Sequence, residues 1–84
     1  MPKTIGKTKI EYLELLLENS EKGITPSEVT EVFFDDVTNE AAAHALHRLK
    51  KRGCAIRQRD GLEYRYWITD YGIMKYDYLL EREE

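Results

Sequence analysis

The stretch AHALHRLKKRGCAIRQRDGLEYRYWITDYG, residues Ala43 to Gly72, decides the fold, because its hydrophobic period changes at Gly53. Before that glycine, Ala42, Ala45, Leu46 and Leu49 recur at helical spacing and share one face. The helix they predict spans 38–52, is capped by Thr38 or Asn39 and closes on a cationic turn that suits the negative end of its dipole. After Gly53 the pattern alternates on either side of Asp60-Gly61, which predicts a hairpin over 54–69. Thr69 or Asp70 then caps a last helix over 70–81.

Upstream, ITPSEV (Ile24–Val29) combines Thr25 as cap, Pro26 at the first helical position and Glu28 three residues after the cap. It predicts a second helix over 25–34, ended by DDVT. Thr8 and Glu11 form the same kind of capping box for a first helix over 8–22, with Gly23 able to take the left-handed conformation at its end. Three helices, a hairpin and a fourth helix in one domain, 1–84, is an α+β architecture of winged helix-turn-helix type.

Length and composition agree with a single small core. With 84 residues, 42% of them hydrophobic and 35% charged, the chain has apolar material for one packed domain and too little room for a second. No apolar run is long enough to cross a membrane, and MPKTIGKTK lacks the apolar segment of a secretory signal, so a cytoplasmic protein is expected. Cys54, the single cysteine, is expected as a small buried apolar residue.

Charge is unevenly distributed. Between His44 and Arg65 stand seven basic residues and two acidic ones, a local +5 in a chain of net charge −3, so the remainder carries −8. A polyanion is therefore attracted to one face only.

The hairpin register is constrained by burial. A two-residue turn at Asp60-Gly61 pairs Arg59 with Leu62 and puts Ile56 opposite Arg65, mixing apolar and charged side chains on one face. A three-residue turn, Arg59-Asp60-Gly61, pairs Gln58 with Leu62 and gathers Cys54, Ile56, Leu62, Tyr64, Tyr66 and Ile68 on the inner face. The bulged turn is therefore expected, with Arg57, Arg59 and Arg65 pointing outward and Arg57 opposite Glu63.

From Gly23 to Gly72 the chain resembles the small prokaryotic winged-helix transcription regulators, the class that includes the MarR, ArsR and PadR types. Their recurrent pattern is a recognition helix ending in leucine, charged residues and glycine, then a basic hairpin with a glycine turn, then Leu/Ile-Thr-x-x-Gly. Leu49, Gly53, Gly61, Ile68, Thr69 and Gly72 stand in those places. Two features depart from it: Cys54-Ala55 replaces a bulkier aliphatic pair, and Glu63 puts an acid in the wing. The resemblance implies a winged helix that binds double-stranded DNA and regulates transcription, with the third helix in the major groove.

On that helix, Asn39, Glu40, Ala43, His44 and His47 lie where bases are read, while Arg48 and Lys51 lie where phosphates pass. Asn39 and Glu40 equally suit a helix start, as cap and dipole partner. His44 and His47 have metal-ligand spacing, but no carboxylate or cysteine is placed to complete a shell, so no metal is expected. In the wing, Arg57, Arg59 and Arg65 are the phosphate or minor-groove candidates, with Arg59 at the tip.

The last helix carries two apolar stripes, Tyr71, Met74 and Tyr78 on one side and Ile73, Tyr76 and Leu80 on the other. One packs on the domain and the other on a second copy, which predicts a homodimer with Trp67, Tyr71, Met74 and Tyr78 in the interface. No nucleophile with its base, phosphate loop or metal set marks an enzyme, and no cofactor is expected. The competing function is a winged-helix module that docks another protein without binding DNA.

Overall fold

The computed structural model describes residues 8–34 and 36–83; the expected DDVT break lies partly, and the first seven residues of the expected domain wholly, outside them. Six elements follow in the order α1 (Lys9–Glu18), α2 (Pro26–Val32), α3 (Asn39–Lys51), β1 (Ala55–Asp60), β2 (Glu63–Ile68) and α4 (Asp70–Glu83). Four helices around a two-stranded antiparallel hairpin make a winged helix-turn-helix.

Both capping boxes are present. The Thr8 amide donates to Glu11 Oε1 at 2.8 Å and the Glu11 amide to Thr8 Oγ1 at 3.3 Å. Thr25 and Glu28 repeat the exchange at 3.1 and 3.3 Å. Each box satisfies backbone donors that a helix start otherwise leaves open, an effect of about 1 kcal/mol.

The helix ends differ from expectation by several residues. α1 stops at Glu18, because the Asn19 side-chain amide donates to the Leu15 carbonyl at 2.9 Å and competes for the acceptor that continues the helix. The chain then turns through Gly23, whose φ is +75°. There Ile24 pairs with Tyr66 through two backbone bonds of 3.0 and 2.9 Å, so β2 is flanked by β1 on one side and this single residue on the other. α2 ends at Val32, and the chain leaves it through Phe34 at φ +53°.

The core lies between α1, α3 and the base of the hairpin. Leu13, Leu16, Leu46, Val29 and Cys54 are completely enclosed, each such aliphatic side chain contributing about 1.5–3 kcal/mol of transfer free energy. Cys54 is thus a buried free thiol, as its small apolar character predicts. Ala55 beside it is also buried, so the small pair leaves the strand start close-packed against α3.

Thr69 fastens the hairpin base. Its hydroxyl donates to the Gly53 carbonyl at 2.6 Å and accepts from the Gly72 amide at 3.0 Å, while its own amide donates to the Cys54 carbonyl at 3.0 Å. A Cβ on Gly72 would collide with that Cys54 carbonyl. The motif residues Gly53, Thr69 and Gly72 therefore form one joint between the end of α3 and the start of α4.

The hairpin register corrects the expectation. Asp60 pairs with Glu63, Arg59 with Tyr64, Arg57 with Tyr66 and Ala55 with Ile68. The turn is the two residues Gly61-Leu62, with Gly61 at φ +70° and Leu62 outside the left-handed region, the pattern of a type II′ turn. Gly61 thus occupies the first turn position rather than a bulge. Ile56 and Leu62 are 59% and 96% exposed, so neither belongs to an apolar inner face. Arg57 and Arg59 take the inner positions instead, beside Tyr66 and Tyr64, and Glu63 lies opposite Asp60 rather than Arg57. The alternation failed because the outer half of the hairpin projects beyond the core, where cations serve as partners for the tyrosine rings.

Candidate nucleic-acid interface

α3 is held by Ala42, Leu46 and Leu49, which are buried, and it turns Glu40, His44, His47 and Lys51 outward. Thr38 is its cap, accepting from the Ala41 amide at 3.0 Å, which leaves Asn39 free of that role. Asn39 instead joins α3 to α2 through contacts of 3.4 Å with Ser27 Oγ and Thr30 Oγ1. Ala43 is half-buried, and Arg48 is exposed on the side toward α1.

The wing cations split into two groups. Arg57 and Arg59 lie on the strand face directed at α3. The Arg57 guanidinium is centred 3.9 Å over the Tyr64 ring and reaches both His47 Nδ1 and the Tyr66 hydroxyl at 3.4 Å. Arg59 stands 5.4 Å from the same ring and donates from Nε to the Gly61 carbonyl at 2.9 Å, so it is positioned at the turn.

Arg65 is on the opposite strand face and does not join them. Its Nε donates to Asp60 Oδ2 at 2.8 Å, and its terminal nitrogens reach the Glu28 carboxylate at 3.2 and 3.4 Å and the Gly23 carbonyl at 3.3 Å. This guanidinium ties β2 to the start of α2. Trp67, on that same face, donates from Nε1 to the Glu21 carbonyl at 3.3 Å and lies so close to Gly23 that a Cβ there would sit 2.7 Å from its ring. Arg65 and Trp67 therefore both make intramolecular contacts at the α1–α2 turn.

The two wing carboxylates are both engaged within the fold, and Glu63 also lines the groove beside α3. Asp60 is taken by Arg65, and Glu63 Oε1 accepts from the Ser27 amide at 3.0 Å. The acid in the wing is thus a second bond to the start of α2. Between Asn39, Glu40 and Ala43 of α3 and Leu62, Glu63 and Tyr64 of the wing runs an open groove of about 330 Å³.

Electrostatics follow this geometry. Partial desolvation, reinforced by Arg57, Lys51, Lys50 and His44, holds the His47 pKa below the usual histidine value. At neutral pH the ring is uncharged and its Nδ1 can accept from Arg57, which places the ring proton on Nε2. The hydrogen bond to Tyr66, against partial desolvation, and the potential of Tyr66 and Tyr64 raise Arg57 above its already high value.

Tyr64 as a platform for Arg57, and Glu28 as the partner of Arg65, are absent from the sequence reading. The first was detectable in principle, since Arg and Tyr alternate on the two strands, but only the correct register brings them together. Among the described residues no group of three or more His, Cys, Asp or Glu converges as a metal site, and no helix is long and apolar enough to cross a membrane.

Comparison with known proteins gives a consistent picture of the fold. No protein-family model and no curated protein sequence matches the chain. Among solved structures it is similar to the transcriptional regulator SlyA, with 26% identity and a TM-score of 0.72, over 92% of this chain and 54% of that one. It is also similar to a MarR family protein from Bacillus stearothermophilus, with 20% identity and a TM-score of 0.70, over 95% of this chain and 54% of that one. The chain spans about half the length of each. The first of these is a transcriptional regulator and the second a MarR family protein, and the domain described here has the winged helix-turn-helix fold that both share.

Proposed function

We propose that this protein is a sequence-specific double-stranded DNA-binding regulator of transcription, acting in the cytoplasm as a homodimer. The observation that carries this reading is the continuity of the exposed α3 face with the wing, joined where Arg57 reaches His47 at 3.4 Å. His44 and His47, with Glu40 and Ala43, face the bases of the major groove; Asn39 reads there only by giving up its contacts to α2. Lys51, Arg48 and Arg57 meet phosphates, and Arg59 at the turn reaches the backbone or minor groove. Arg65 is left to the fold.

The dimer rests on α4. Tyr76 and Leu79 pack on the core, while Tyr71, Met74 and Tyr78 on the other side are 50%, 66% and 51% exposed. Covering that stripe with a second copy sets two recognition helices about one DNA turn, roughly 34 Å, apart and implies a palindromic site. Trp67 lies outside this set because its indole is engaged at Glu21. The test is selection of duplexes from a random pool: enrichment of an inverted repeat that His44→Ala alters supports the reading, and a pool left unenriched rejects it. A protein-docking role is favoured by one separate feature, Phe34, which is 87% exposed on a left-handed backbone beside the exposed Val32.

A further inference from the structure

A cavity of about 110 Å³ lies between α1 and α3, away from the groove described above, and is lined by Lys9, Tyr12, Ala45, Arg48, Leu49 and Arg52. Its floor is apolar and its rim carries three cations. Among the described residues none of these three side chains makes a hydrogen bond or ion pair; the pairings of the guanidiniums are those of Arg57, Arg59, Arg65 and Arg82. The end of a helix favours a cation, but α3 places Arg48, Lys50, Lys51 and Arg52 in and just after its last turn, more than its dipole requires.

Tyr12 supplies the second observation. The residue is 4% exposed, yet its hydroxyl has no hydrogen-bond partner among the described residues, an arrangement that costs free energy unless another group satisfies it. Its ring is fixed edge-on by Phe33, with centroids 5.6 Å apart. Burial raises the Tyr12 pKa, Arg48 opposes that rise and Glu11 adds to it, so the phenol remains a neutral O–H donor at physiological pH. The Glu11 carboxylate is itself held by the Thr8 amide and hydroxyl at 2.8 and 3.1 Å.

We propose that this cavity binds a phosphate group, with the Tyr12 hydroxyl as the buried donor and Lys9, Arg48 and Arg52 as its counter-charges. The group is either that of a small free phosphate or one on the DNA backbone beside the recognition helix; the second case rests on the DNA-binding reading, the first does not. A free phosphate here neutralises Arg48 and Arg52 and so competes with duplex.

The experiment has two arms, each run on the wild type, Arg52→Gln and Tyr12→Phe. Arg52 is exposed, and Tyr12→Phe removes only an oxygen, so both variants keep the fold. In the first arm inorganic phosphate is titrated in place of chloride at constant ionic strength and followed by amide chemical shifts around Tyr12 and Ala45. A saturable shift, weakened on the order of tenfold by Tyr12→Phe as for loss of a hydrogen bond to a charged group, identifies a free-phosphate site. In the second arm the salt dependence of duplex binding is measured. A slope reduced by about one in Arg52→Gln, together with weaker binding by Tyr12→Phe and no saturation by free phosphate, identifies a backbone phosphate. No saturable shift and unchanged duplex binding in both variants overturns the site. A phosphate titration that succeeds while duplex binding is absent would retain the site and reject the DNA-binding reading.

Discussion

Nδ1 of His47 and the guanidinium of Arg57 meet at 3.4 Å, so a residue of α3 and one of the wing share a single contact. The contact requires a neutral imidazole. Protonating His47 replaces it with repulsion between two cations.

This sets a pH dependence with a definite sign. The folded-state pKa of His47 is depressed, through desolvation and then its cationic neighbours, below an unfolded value of about 6.5. Its stabilising contribution is complete above the unfolded pKa and is lost as pH falls through the folded one. Bound phosphates act in the opposite direction, so DNA binding takes up a proton at His47. Lowering pH from about 8 to about 6 should therefore strengthen duplex affinity while slightly lowering the melting temperature. His47→Gln should flatten both trends; a variant with unchanged pH profiles would remove His47 from the interface.

Arg59 and Arg65 should separate binding from stability. Arg59→Ala removes an exposed cation at the turn and should lower the salt slope of duplex binding by about one, with little change in melting. Arg65→Ala breaks the bonds to Asp60 and Glu28 and should lower the unfolding midpoint, with the salt slope unchanged. Denaturant unfolding and binding titrations of the two variants check this; reversed behaviour would mean that the wing presents its other face to DNA.

Gly23→Ala should be among the most damaging small substitutions. The residue has φ +75°, and its new Cβ would fall 2.7 Å from the Trp67 ring. Strain and collision together predict a loss of about 2–3 kcal/mol, measurable by urea unfolding. Near-wild-type stability would show that the indole is free to move.

Tyr78→Glu places a charge in the exposed α4 stripe without touching the core contacts of Tyr76 and Leu79. Sedimentation should show monomers in place of dimers at the same concentration, with the helical content retained. Dimers that survive the substitution would locate the interface elsewhere.

Much of this organisation was legible in the sequence because it is locally encoded. Thr8-Glu11 and Thr25-Glu28 signal helix starts within four residues, and the spacing of Ala42, Leu46 and Leu49 assigns the buried face of α3. The hairpin register was not legible. Burial favours the bulged turn Arg59-Asp60-Gly61 over a two-residue turn at Asp60-Gly61, and the turn that forms, Gly61-Leu62, is neither. That criterion fails where a hairpin leaves the core, and Ile56 and Leu62 are exposed. The error carried Arg57, Arg59 and Arg65 onto one face, whereas the structure stacks Arg57 on Tyr64 and turns Arg65 back to Glu28. Such contacts join residues up to 37 positions apart, beyond any local pattern.

The most direct measurement is fluorescence anisotropy of a labelled duplex titrated with the protein over a series of salt concentrations, alongside the double variant Lys51→Ala/Arg59→Ala. Roughly micromolar binding to random duplex that weakens steeply with salt, with a slope about two smaller in the variant, is the predicted result. No binding at low salt, or binding that the double variant leaves unchanged, would contradict a DNA-contacting face built from α3 and the wing.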